Sequence, residues 1–180
     1  MDERREESLV RRSLGGDSRA FGEIVAEHQK VLFNVALRMT GDREDAADLV
    51  QTAFLRAYRS LHTWDSRHRF FSWIYRILVN ATLDHLSRRR PQQALDEAIP
   101  SWEPSPEDRL HEREVSDIVQ AALMRLSAGK REVIVMRHFL QMSHREMSET
   151  LGIPEPTVKS RLHEARRALG AILRQRRVTV

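Results

Sequence analysis

Thr157, Lys159, Ser160, Arg161, His163 and Arg166 bring hydroxyl, ammonium, imidazole and guanidinium groups together in the stretch "PTVKSRLHEARRAL". Arginine and lysine can contact guanine edges or phosphate, and serine and threonine can donate to either. Between them Val158, Leu162, Ala165 and Leu169 recur at the helical period, so burying that stripe turns the polar set outward. Two readings fit: a face that recognises an anionic, hydrogen-bonding surface, or an ordinary helical hairpin with a solvated basic side.

A second set lies in "TWDSRHRFFSWIYRILVNATLDHLSRRR". Phe70, Trp73, Ile74, Ile77 and Leu78 follow helical spacing and read as core. Trp64 has no such period. With Asp65, Ser66, Arg67 and Arg69 in its loop, and Arg76 and Asn80 further along, two roles remain open. It either stacks on an unpaired base or tucks inward to close its loop. A third set follows Asp42, where Asp48, Gln51 and Leu55 fall at i, i+3 and i+7 with Asp45 beside them. An outward leucine framed by acids and an amide can dock another helix, although a single exposed leucine needs no such explanation.

Reactive chemistry is harder to find. The sequence has no Walker-type glycine loop, no H-E-x-x-H pattern and no nucleophile elbow. His85, His138, His144 and His163 do not combine with carboxylates at ligand spacing. With no cysteine in the chain, disulfides, thiolate metal sites and cysteine nucleophiles are excluded. No enzyme activity, metal or other cofactor is expected. The charged start "MDERREESLV" does not read as a secretory signal, and no apolar run approaches the ~20 residues that span a bilayer. A cytoplasmic protein, not inserted in a membrane, is expected. The net charge of +4 and pI of about 10.1 matter less than their distribution: acids cluster early, and basic runs sit at Arg88–Arg90 and Lys159–Arg177.

The elements that must position these groups are helical almost throughout. The periodicity predicts one or two helices over Ser18–Met39, a stop at "TGD" with Asp42 as the next N-cap, a helix to about Ser60, and another over Phe70–Arg88. "PQQALDEAIPSWEPSPEDRL", residues 91–110, is rich in proline and reads as a flexible linker. Further on, Ser143 and Glu146 form a capping box, Gly152 suits a left-handed helix end and Pro156 suits a first helical position. A short helix, a glycine corner and a second helix with a basic outer face is the helix-turn-helix plan. The expected fold is all-α: two small helical domains, residues 1–90 and 111–180, joined by a linker over 91–110.

Together "DAADLVQTAFLRAYRSL", "RFFSWIYRILVNATLDHLSRRR" and "LGIPEPTVKSRLHEARRAL" resemble the sigma-70 superfamily, in its compact extracytoplasmic-function (ECF) form. The resemblance implies that the first domain is region 2, which binds the β′ clamp helices of core RNA polymerase and opens the −10 element. It implies that the second is region 4, which reads the −35 element and meets the β flap. Asp45, Asp48, Gln51 and Leu55 then fall on the polymerase-docking segment. Trp64, Asp65, Ser66, Arg67 and Arg69 fall on the loop that receives a flipped −10 base, with Arg76 beside it and Asn80 lining the pocket. Thr157, Lys159, Ser160, Arg161, His163 and Arg166 fall at −35-contacting positions, while Glu164 stands where a basic residue is common. Only "LRQRRVTV" follows the last helix, so an anti-sigma protein is the expected regulator, wedged between the halves. The runner-up is a stand-alone helix-turn-helix repressor or activator.

Overall fold

The computed structural model describes residues 3–89 and 110–177. The expected linker falls outside them except for Leu110, where a helix has already begun. Helix α1 covers Glu3–Leu14, α2 Ser18–Thr40, α3 Arg43–Arg59 and α4 Phe70–Arg89, with a short 3₁₀ turn at Leu61–Thr63. After the linker come α5, Leu110–Met124, and α6, Ala128–Ile134, which runs on into a π-helical turn at Val135–Phe139. Helix α7, His144–Leu151, and α8, Glu155–Arg177, complete the second half.

The helices start and stop where local chemistry dictates. Asp17 accepts the amide hydrogens of Arg19 and Ala20 at 3.1 and 3.3 Å, and α2 then runs unbroken to Gly41. Gly41 adopts φ 77°, a left-handed conformation that glycine reaches without strain. Asp42 restarts the chain by accepting from the Asp45 amide at 3.0 Å. Glu44 and Asp45 in the first turn of α3 favour the positive end of its dipole.

Helix α1 was not predicted, because Leu9, Val10 and Leu14 are too few to show a helical period in so charged a stretch. Its Leu9 and Val10 are nonetheless buried, and Glu6 meets His28 of α2 at 2.7 Å in a closed, buried pair. The core of the first half joins α2, α3 and α4 through Ile24, Leu32, Phe54, Phe70, Ile74 and Leu78. That of the second half sets Val158, Leu162 and Ala165 of α8 against α6 and against Met147 of α7.

The two halves do not stand apart: α2 packs on α5, α6 and the π turn, and α4 packs on α6 and α7. Arg38 of α2 donates to Gln120 at 3.1 Å and Ser116 at 3.4 Å, and its guanidinium lies 4.6 Å from the centre of the Phe139 ring. Gln120 returns a bond to the Leu37 carbonyl at 3.2 Å. Met124 covers Gly41 so closely that a Cβ there would come within 2.6 Å of its sulfur. Arg131, 7% exposed, donates to the carbonyls of Leu123, Met124 and Leu126 and reaches across to that of Met39. It caps the end of α5 and bridges the halves with one side chain, and burial lowers its pKa from 12.5 to about 10.

Candidate nucleic-acid and partner interfaces

The second-half site is built from its corner. The Ser143 hydroxyl accepts from the Glu146 amide at 3.2 Å, and the Glu146 carboxylate accepts from the Ser143 amide at 2.8 Å, closing the capping box. These bonds, joined by one from Arg69, hold the Glu146 carboxyl below its ordinary value. Gly152 ends α7 at φ 66°, and Ile153 packs into the corner. Helix α8 begins at Glu155, so Pro156 is its second residue and not its first. The position still suits proline, since no amide of the first turn has a partner inside the helix.

Lys159, Ser160, Arg161, His163 and Arg166 are exposed and Thr157 is half-buried, while Val158, Leu162 and Ala165 turn inward. Lys159 sits 3.9 Å from Glu155, and the Ser160 hydroxyl is turned back to the Thr157 carbonyl at 3.0 Å. Arg166 lies 3.3 Å from Nε2 of His138 on the π turn. Burial, then the charges of Arg166 and Arg137, lower the His138 pKa. Glu164 shares the exposed surface.

On α3, Asp48, Gln51 and Leu55 are exposed, Leu55 by 53%. Asp45 departs from this face: half-buried, it turns towards α4, where His85 Nε2 is 3.3 Å away. A three-residue step back from Asp48 rotates a helix by about 60°, enough to leave the outward stripe. Tyr58 extends that stripe, 48% exposed and edge-on to Phe21 at 4.9 Å. It was missed because an aromatic next to a core pattern reads as core, yet its i+3 spacing from Leu55 was available.

The loop between α3 and α4 is held by its own side chains. Trp64 is half-buried and edge-on to Phe70, with ring centres 5.8 Å apart, and its indole N–H donates to the His68 carbonyl at 3.1 Å. Asp65 accepts from Arg67 through the amide at 3.0 Å and the guanidinium at 2.5 Å. These bonds, the guanidinium's first, lower the Asp65 pKa to about 2. Ser66 is exposed. The remaining members of the set face the second half. Arg69 meets Glu146 at 2.8 Å, and Arg76 donates to the carbonyls of Thr150 and Glu149 at 2.7 and 2.5 Å. Asn80 lines a cavity of about 240 Å³ with Tyr75, Arg76, Val79, Glu132, Thr150 and Leu151.

Among the described residues no group of acids and histidines is arranged to hold a metal ion, and no helix is long and apolar enough to cross a membrane.

Residues 24–92 match the family model Sigma-70 region 2, and residues 116–169 match Sigma-70, region 4. The ECF RNA polymerase sigma factor SigW of Bacillus subtilis is 33% identical over 88% of this chain and 91% of its own length. The RNA polymerase sigma factor CnrH of Cupriavidus metallidurans is 32% identical over 92% of each. The solved structure of CnrH in complex with the cytosolic domain of CnrY superposes with a TM-score of 0.73 at 30% identity, covering 97% of this chain and 99% of that one. The sigma factor RpoE of Bartonella quintana, at 23% identity and a TM-score of 0.69, shares the fold.

A region 2 bundle followed by a region 4 helix-turn-helix defines the sigma-70 class, and this chain belongs to its ECF group of RNA polymerase sigma factors. Its function is promoter-directed initiation of transcription with RNA polymerase, and a stand-alone repressor or activator is not favoured.

Proposed function

We propose that the work of initiation divides along the chain. Residues 1–90 dock on the β′ clamp helices of core polymerase and capture the −10 element, residues 91–110 link, and residues 111–180 read the −35 element beside the β flap. The observation that carries this reading is the exposed donor face of α8, set outward behind a capped helix and a glycine corner. A helix presented in this way enters a major groove with the residues of its N-terminal half towards the bases. Thr157, Lys159, Ser160, Arg161, His163 and Arg166 make those contacts. Asp48, Gln51 and Leu55 form the docking stripe, and Asp45 supports it through His85. Trp64, Asp65, Ser66, Arg67, Arg69, Arg76 and Asn80 serve the −10 strand.

Opening a duplex means unstacking a base, at a cost of a few kcal/mol, which capture of that base must offset. Trp64 shapes the loop, and the Asn80 amide supplies edge-specific hydrogen bonds. The chain has no catalysis of its own in this reading and acts in the cytoplasm. A protein inhibitor binds it, a reading supported by the likeness to CnrH, which was solved with a protein bound. Because the halves touch directly, such an inhibitor grips them from outside rather than as a wedge.

The test is run-off transcription with core polymerase and permanganate footprinting of the bubble. Wild type should initiate and melt. Asn80→Ala should keep polymerase docking and duplex −35 binding while losing open complexes. Normal melting by Asn80→Ala would remove that residue from the pocket.

A further inference from the structure

We propose that α1 is a positioning element for the −10 loop, set in place by the buried pair of Glu6 and His28. This rests on the assignment of the loop from Trp64 to Arg69 to −10 DNA. Helix α1 precedes the stretch that matches Sigma-70 region 2, which begins at residue 24.

The buried face of α1 is Glu6, Leu9, Val10 and Ser13, at i, i+3, i+4 and i+7. Half of it is polar. The Ser13 hydroxyl is satisfied inside the helix, donating to the Leu9 carbonyl at 2.8 Å, so Glu6 is the polar group of this face that reaches across. It meets Nε2 of His28 at 2.7 Å, with both residues less than a tenth exposed. The charged ties between α1 and α2, Arg5 to Glu23 at 3.3 Å and Arg12 to Glu23 at 3.8 Å, are exposed and contribute little. Two apolar side chains hold a helix down without fixing its place along a neighbour. A buried polar pair does fix it, because a slip of one turn would leave Glu6 and His28 each buried without a partner.

Both ends of the loop rest on these two helices. At its start, α1 packs against the 3₁₀ turn Leu61–Thr63, where the Leu61 carbonyl accepts from the Trp64 amide at 3.1 Å. At its end, the His28 ring lies 6.0 Å from the Phe70 ring and 5.7 Å from that of Phe71, the first two residues of α4. Phe70 is fully buried and meets Trp64 edge-on. A shift of α1 therefore moves the turn before Trp64, and a shift of His28 moves the ring against which Trp64 lies. A loop that captures an unstacked base gains by being in place beforehand, since ordering it on binding costs affinity.

The test removes the pair without emptying its space. Glu6→Leu with His28→Leu leaves an apolar filling, which in place of a buried ion pair is often neutral or stabilising. Glu6→Gln keeps the shape and the hydrogen bond to His28. Of the three tryptophans in the chain, Trp73→Phe and Trp102→Phe leave Trp64 alone in every form, and that parent is the reference. Acrylamide quenching of Trp64 fluorescence reads the loop, and permanganate footprinting with core polymerase reads melting. Urea unfolding and a polymerase pull-down report stability and docking. With no native cysteine, Arg5→Cys and Glu23→Cys joined by a short bis-maleimide then fasten α1 from outside.

The leucine pair should keep the urea midpoint and polymerase binding, at least double the quenching constant of Trp64 and lower open complexes at least fivefold. Glu6→Gln should stay within twofold of the parent in both readouts, and the cross-link should bring the leucine pair back to within twofold. Unchanged quenching by the leucine pair overturns the proposal and, with normal melting, leaves the −10 assignment standing. Raised quenching with normal melting overturns both the proposal and the place of this loop in −10 capture. A lowered urea midpoint that accompanies lost melting, with no recovery on cross-linking, makes the pair a matter of stability alone and overturns the proposal.

Discussion

Glu132 should make the protein lose stability as the pH rises from about 4.5 to about 7. It is 8% exposed, lines the cavity between the halves and faces Tyr75 and Arg76 of α4 and Thr150 of α7. Burial raises its pKa from 4.5 to about 7, with the Arg161 charge on α8 pulling the other way. Below pH 4.5 the carboxyl is protonated in both folded and unfolded chains and contributes no difference. Between 4.5 and about 7 the folded chain keeps a proton that the unfolded chain has released, so stability falls as pH rises. The interval, at about 1.4 kcal/mol per pH unit, gives a penalty of about 3 kcal/mol that is complete above neutrality. Glu132→Gln keeps the shape and removes the charge. Urea unfolding should find the variant more stable than wild type by about 3 kcal/mol at pH 8.5 and by less than about 0.5 kcal/mol at pH 4.5. An equal gain at both pH values would assign the effect to packing. A loss at pH 8.5 would mean that the buried carboxylate has a stabilising partner, and either outcome refutes the reasoning.

Leu55→Asp should weaken core-polymerase binding in a pull-down by more than tenfold with helicity unchanged. Burying the exposed half of a leucine is worth about 1 kcal/mol, and desolvating a carboxylate in its place costs several more. Wild-type retention would move the docking surface off α3. Arg161→Ala should cost about 1–3 kcal/mol of duplex −35 affinity and relax preference at one base pair. Lys159→Ala, acting on phosphate, should weaken all sequences alike and reduce the salt slope by about 1. Binding and salt dependence untouched in both would remove α8 from the groove.

What the sequence determined by itself is a set of caps, stops and faces, each set within one or two helical turns. The stop at Gly41, the cap at Asp42, the capping box of Ser143 and Glu146 and the outward face of α8 each depend on residues within four positions of one another. Hydrogen bonds and side-chain periods of that range are written in the local order of residues. The sequence erred by one position at Pro156, where helix ends fray between neighbouring possibilities.

It could not show what covers each face, because that depends on chain segments far apart. Arg69 and Glu146 are separated by 77 residues, and Arg38 and Gln120 by 82. Only the tertiary fold turned Asp45 towards His85, closed Trp64 over Phe70 and drew α1 into the core through Glu6 and His28. It alone made Arg131 and Glu132 into buried groups with shifted pKa values. Burial is a property of the assembled packing: the same charged residue is solvated or desolvated according to which distant helix lies against it.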